Sequence, residues 1–325
     1  MSKLVTIYGG SGFVGRYIAR RMAKEGWRVR VAVRRPNEAL FVKPYGSVGQ
    51  VEPVLCNIRD DASVALAMSG ADAVVNCVGI LNQVGKNKFD AVQHEGAERI
   101  ARLAAAAGIH TMVHLSAIGA DADSDTDYAR TKARGEAGVL EHMPNAMILR
   151  PSVIFGPEDD FFNRFANQAK FGPILPIAGA ETKFQPVYVD DVAQAAVKGI
   201  LGETTGVYEL GGPEVKTLRA LLQDMLTSIH RRRLILNLPF VAAWLAAFGF
   251  DMLQTITLGL FTNSIVTRDQ LKSLSVDNVV AEDAKGLAEL GIQDTPLSSI
   301  LDSYLWRFRP SGQYDAIKNS AKNLG

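Results

Sequence analysis

The stretch Tyr8–Met22, YGGSGFVGRYIARRM, decides how the chain is read. Gly9, Gly12 and Gly15 fall at G-x-x-G-x-x-G spacing, directly after the β-branched run Leu4–Tyr8 and at the opening of an amphipathic segment, Val14–Lys24. Early glycines of such a loop permit a tight turn and let backbone approach a pyrophosphate closely; the last permits close helix–strand packing. The helix that follows offers free N–H groups and a dipole that favours an anion. Ser11, Phe13 and Val14 complete the loop that would wrap the phosphates. A structural turn without a ligand is the bland alternative.

Further strand-like runs follow at Val29–Val33, Val51–Leu55, Ala73–Cys77, Met112–Leu115 and Ala146–Leu149, separated by amphipathic stretches such as Ser63–Ala67 and Phe89–Ala107. One more α/β pair is expected at Pro186–Lys198 and Gly206–Leu210. Alternation of this kind predicts a parallel sheet covered on both faces. The expected fold is α/β: a Rossmann-type doubly wound parallel sheet with a smaller, mostly helical C-terminal domain. Residues 1–230 are expected to form the nucleotide-binding domain and 231–325 a membrane- or partner-facing region.

The second strand runs into Arg34 and Arg35, where an NAD site normally places a carboxylate for the ribose 2′-hydroxyl. A guanidinium matches a 2′-phosphate in bidentate fashion and gains nothing comparable from a hydroxyl. NADPH is therefore expected over NADH, against the alternative of two solvated surface arginines. After the third strand, Ile58 is placed to pack on adenine, with Asn57 or Arg59 at its edge. After the fourth, Cys77, Val78 and Gly79 bring backbone towards the adenosine ribose. Open parallel sheets bind ligands at these carboxyl ends.

Composition limits the alternatives. Net charge is +1, which excludes bulk electrostatic capture of nucleic acid. Cys56 and Cys77 lie in apolar runs and suit a reducing compartment, and the five histidines show no metal-ligand spacing, so no metal is expected. A strand begins within three residues of Met1, leaving no room for a signal or transit peptide, which suggests a bacterial-type start. Leu238–Phe250 carries no polar side chain, and Arg231–Arg233 precede it. Thirteen such residues fall short of the roughly 20 that span a bilayer. Two readings stand: a buried helix of the small domain, or a helix at a membrane interface with its arginines near phospholipid headgroups.

The motifs GGSGFVG, NIRD, NCVG, HLSAIGA, YARTK, RPSVIFGP and VYVDDVA resemble the short-chain dehydrogenase/reductase superfamily, in its extended and atypical, epimerase-like branch. More narrowly, RPSVIFGPEDDFFNRFA, FQPVYVDDVAQA, the apolar segment Leu238–Phe261 and the tail YLWRFRPSGQYDAIK are similar to the nucleotide-binding accessory subunits of respiratory complex I. That resemblance implies tightly held NADPH without turnover, near the quinone-entry region. It also implies other complex I subunits and membrane-surface lipids as partners, on the cytoplasmic face of a bacterial inner membrane. In reductases of the superfamily a tyrosine transfers a proton to the substrate oxygen. A lysine one turn later holds the nicotinamide ribose and lowers the tyrosine pKa. Tyr128 and Lys132 match that pair, so the alternative readings are an independent NADPH-dependent reductase or epimerase using them, or an NADP(H)-binding redox sensor. Ser116 stands at the first slot of the serine run, and Ile118 at the slot that would align with the catalytic hydroxyl. By resemblance, Pro151 and Val153 pack against the nicotinamide. Asp190 and Asp191 are expected to cap a helix.

Overall fold

The computed structural model describes residues 2–241, Trp244 and residues 268–314. Most of the apolar segment Leu238–Phe261 therefore lies outside the described residues.

Strand β1, Leu4–Tyr8, is buried along its whole length, as its sequence LVTIY requires. Strands alternate their side chains between faces. Val5 and Ile7 accordingly enter one core, while Tyr8 enters the core on the opposite face. The one polar side chain that is not aromatic, Thr6, donates its hydroxyl to Ala67 O at 3.0 Å. Around this strand stand β2 (Arg28–Val33), β3 (Val51–Leu55), β4 (Ala73–Asn76), β5 (Thr111–Leu115), β6 (Met147–Pro151) and an outer strand, Gly206–Leu210. Their order across the sheet is β3, β2, β1, β4, β5, β6, then Gly206–Leu210, all parallel. The order reverses direction between β1 and β4, and open α/β sheets bind ligands at such a switch point.

Helices α1 (Phe13–Lys24) and α6 (Val189–Ile200) cover one face; α2 (Asp61–Met68), α3 (Glu95–Ala106) and α4 (Asp127–His142) cover the other. The helix expected over Phe89–Ala107 opens as a π-helical turn at Asp90–His94 before α3 begins. Strand limits differ from the sequence expectation by no more than two residues at either end.

A second core gathers α5 (Phe161–Gln168), α7 (Leu218–Ser228), the strand Ile174–Ala178 and the helix Leu297–Leu305. Its anchor is Asp159, which is buried and accepts hydrogen bonds from the Tyr304 hydroxyl at 2.6 Å, Asn163 N at 3.0 Å and Gly156 N at 3.1 Å.

The capping expectation for Asp190 and Asp191 is corrected. The helix N-cap is Tyr188, so both carboxylates lie inside the first turn. Asp190 accepts a bidentate pair from Arg21 Nε (2.7 Å) and Nη2 (2.6 Å) of α1, and Asp191 accepts from Thr295 N at 2.9 Å and Oγ1 at 3.0 Å. The helix dipole favours both charges in that turn, and their side chains tie neighbouring elements together instead of closing the helix end.

Candidate nucleotide site

The site is built from the carboxyl ends of the parallel strands. After β1 the chain turns at Gly9 with φ +76°, a conformation that a side chain would strain. A Cβ there would meet the Cys77 carbonyl carbon at 3.2 Å, so the loops after β1 and β4 already touch. At Gly15 a Cβ would collide with Gly9 O and come within 2.7 Å of Gly10 Cα. Helix α1 can thus dock on the loop only through a glycine. Its N-cap, Gly12, supplies no side-chain bond, and its first turn carries no acidic residue. Free N–H groups at the positive end of the helix dipole fit a pyrophosphate.

Beside this loop, Gly9 N donates to Ala32 O of β2 at 3.0 Å, bringing the end of β2 alongside. The two arginines that follow are not equivalent. Arg35 is paired with Glu38 at 3.0 Å, whereas Arg34 is exposed and makes no hydrogen bond or ion pair among the described residues. Its guanidinium is open to a phosphate. After β3, Asn57 is exposed, with Oδ1 accepting from Arg59 N at 3.2 Å, and Ile58 lies half-buried against Gly96 of α3.

After β4 come Cys77, Val78 and Gly79. Val78 N donates to Asn76 Oδ1 at 3.0 Å, and burial pushes the Cys77 thiol up to about 12, leaving it neutral. Across the crevice, α4 begins at Asp127 and presents Tyr128 and Lys132 from successive turns. Lys132 is 5% exposed, its Nζ donates to Leu115 O at 3.0 Å, and it lies 3.6 Å from where a Gly79 Cβ would stand. The ammonium therefore sits between the ends of β4 and β5. Its Nζ is 6.0 Å from the Tyr128 ring centroid, and Phe89 packs edge-on against that ring at 5.9 Å. Burial pulls Lys132 down to about 8 and pushes Tyr128 up to about 12.

Ser116 is buried behind β5, and its Oγ has no partner among the described residues. Ile118 lies on the next turn, half-buried, with its N–H bonded to Pro151 O at 3.1 Å. Pro151 is buried and Val153 half-buried at the end of β6. His114, buried two residues before Ser116, is hydrogen-bonded to Asn76 at 3.1 Å, and burial holds it at about 3, neutral at any working pH.

The residues expected to bind the nucleotide thus lie at the carboxyl ends of β1 to β6, in the opening of α1, or on α4 across from them. A buried hydroxyl without a partner, an open guanidinium and a glycine cradle together fit a dinucleotide. Two further contributors escaped the sequence reading, Asp269 and Asn278, which approach α4 and Ser152 from more than 120 residues away in the chain. No local pattern marks a contact of that range. Among the described residues no group of His, Cys, Asp and Glu is placed to hold a metal.

Residues 5–211 match the NAD dependent epimerase/dehydratase family. The chain is 33% identical, over 95% of its length and 79% of the relative, to the mitochondrial NADH dehydrogenase [ubiquinone] 1 alpha subcomplex subunit 9 of Arabidopsis thaliana. It is 30% identical, over 97% of its length and 88% of the relative, to the protein of the same name from Dictyostelium discoideum. Among solved structures, it superposes with a TM-score of 0.69 and 18% identity on an NADPH-dependent quinone oxidoreductase of Escherichia coli complexed with NADPH, covering 92% of this chain and 99% of the other.

Proposed function

Because the chain belongs to the NAD dependent epimerase/dehydratase family, and to that of the alpha subcomplex subunits 9 it matches along nearly its whole length, we propose that it is an accessory subunit of a proton-pumping NADH:quinone oxidoreductase. It holds NADPH as a stabilising cofactor near the quinone and membrane junction, without turnover of its own. The observation that carries this reading is the match along nearly the whole chain, at 33% and 30% identity, to the two alpha subcomplex subunits 9. In the unliganded fold the half-buried Tyr128 phenol is pushed up to about 12, away from the pKa near the operating pH that suits a proton donor. Lys132 keeps its position at the crevice whether or not the phenol reacts.

Open Arg34 at the end of β2 supports NADPH over NADH. Gly9, Ser11, Gly12, Phe13, Val14 and Gly15 would wrap the pyrophosphate, with Cys77, Val78 and Gly79 against the adenosine ribose. Lys132, Ser116, Pro151 and Val153 would face the nicotinamide end. When bound, NADPH supplies charge and apolar surface that close the crevice.

Residues 231–325 would face the membrane and the other subunits. No carboxylate among the described residues ion-pairs with Arg231, Arg232 or Arg233, and the neighbouring Phe171, Ile174, Leu234, Leu236 and Phe240 are exposed. Cations beside an exposed apolar face suit phospholipid headgroups and their first methylenes. No described helix is long and apolar enough to cross a membrane. The chain would sit peripherally, in a bacterium on the cytoplasmic face of the inner membrane.

Denaturing the protein purified with its complex and identifying the released nucleotide tests the reading. About one NADPH per chain is expected; NAD or no nucleotide overturns it. Tyr128→Phe should leave both assembly and bound nucleotide unchanged. If that variant instead abolished turnover of a small carbonyl compound, the chain would be a reductase using Tyr128, Lys132 and Ser116, as their shared crevice also permits.

A pH dependence with two opposite signs follows from Lys132. Its ammonium is present below about 8 and lost above it. NADPH affinity should therefore fall about tenfold between pH 7 and 9, and Lys132→Met should be weaker at pH 7 and flat with pH. Between about 8 and 10.5 the unfolded chain holds a proton that the unliganded fold has released, so apo stability should rise over that window. Fluorescence titrations and thermal melts at matched pH check the two signs.

A further inference from the structure

We infer that Asp269 is a positioning residue of the nucleotide site, holding from 142 residues away the helix that presents Tyr128 and Lys132 to the nicotinamide end of the crevice. This rests on the reading of that crevice as a dinucleotide site.

A helix begins with four backbone N–H groups that have no partner within it. In α4 the local cap, Thr126, takes only the N–H of Ala129. The carboxylate of Asp269 takes two more: Oδ1 accepts from Asp127 N at 3.0 Å and Oδ2 from Tyr128 N at 3.2 Å. Lys272, one turn further, donates its ammonium to Asp125 O at 3.3 Å, on the other side of the cap. These bonds are charge-assisted, and the carboxylate lies at the positive end of the helix dipole. The first turn of α4 is thus closed by a distant segment more than by its own sequence.

The same segment then crosses to the opposite wall. Leu274 O accepts from the Thr182 hydroxyl, and Asp277 Oδ1 from Lys183 N at 2.8 Å. Asn278 accepts the Ser152 hydroxyl through Oδ1 at 2.7 Å and through its carbonyl at 2.9 Å. Ser152 stands between Pro151 and Val153. Residues 269–278 therefore form a strap from the N-terminus of α4 to the end of β6, the two elements that flank the nicotinamide. The adenosine end, made by the glycine loop and Arg34, makes no hydrogen bond or ion pair with the strap among the described residues. Releasing Asp269 frees the first turn of α4 to fray, which lets Tyr128 and then Lys132 leave their places. The loss should fall on one end of the ligand.

The test compares two ligands on the full-length chain: NADPH, and adenosine 2′,5′-bisphosphate, which lacks the nicotinamide half. In Asp269→Ala, NADPH binding should weaken about tenfold, while the bisphosphate stays within twofold of the parent. Asp269→Asn keeps one of the two acceptor oxygens but sets an amide NH2 against the other N–H and removes the charge, so it should recover only part of the loss; it also remains informative where the alanine variant fails to fold. Equal weakening of both ligands would mean a general loss of structure, and unchanged NADPH binding would mean that α4 needs no strap; either overturns the inference. A parent chain that binds neither ligand would instead sink the nucleotide reading beneath it.

Discussion

Arg34→Ala should weaken NADPH binding about 30-fold and leave NADH binding within twofold of the parent. Hydrogen bonds to a charged group contribute about 1.5–3 kcal/mol each net, and a bidentate guanidinium–phosphate pair lies in that range or above. Because Arg34 has no partner among the described residues, its removal disturbs no internal ion pair. Arg35 provides the control. It is already tied to Glu38, on an exposed turn where such pairs contribute little, and Arg35→Ala should change NADPH affinity less than threefold. The comparison is made by titrating both nucleotides into the three proteins. Equal loss for NADPH and NADH in Arg34→Ala would remove the 2′-phosphate from the account.

Gly15→Ala should damage the fold and the nucleotide loop together. Its Cβ would collide with Gly9 O and lie 2.7 Å from Gly10 Cα, and both are backbone atoms that cannot rotate away. Helix α1 must then lift from the glycine loop, an overpacking that costs about 1–3 kcal/mol and leaves the N–H groups misplaced for a pyrophosphate. Both a lower melting temperature and a chain purified without nucleotide are expected. Gly26→Ala supplies the contrast. Its φ is +78° but a Cβ there meets nothing within 4 Å, so it should lose stability through backbone strain alone and keep its nucleotide. A Gly15→Ala protein that retained full nucleotide would show that the loop can close without this approach.

The two predictions differ in how they were reached. That Arg34 stands where a carboxylate is common is visible in the sequence, since the position is counted from the end of β2. That Arg34 is open while Arg35 is paired is not visible there, because both are followed by the same polar turn and only the folded turn brings Glu38 to one of them. Likewise the spacing of Gly9, Gly12 and Gly15 predicts a phosphate loop, but which glycine is sterically obligatory depends on how far α1 leans on Gly9.

Much of the nucleotide-binding fold was legible because its signals are local. Strands such as Leu4–Tyr8, buried throughout, and Val51–Leu55, whose Glu52 and Leu55 are exposed, are short mainly apolar runs, and their alternation with amphipathic helices admits few topologies. The place of the candidate site followed from the same pattern, since a doubly wound sheet puts its ligand loops after strands such as β1, β2, β4 and β5. Asp190 and Asp191 mark the limit of that approach. Their place beside a helix start was readable, but their partners, Arg21 and Thr295, were not.

What the sequence by itself determined is the parallel sheet, the glycine loop, and the Tyr128–Lys132 pair, all set by spacings of a few residues along one strand or helix. The tertiary structure alone decided the direction in which each pKa of that pair moves and the closure of its helix. Burial between the ends of β4 and β5 moves Lys132 to about 8, and Tyr128 goes to about 12 because desolvation disfavours charge. Asp269 reaches the N-terminus of α4 only because the chain returns there after 142 residues, a distance over which no local pattern carries information.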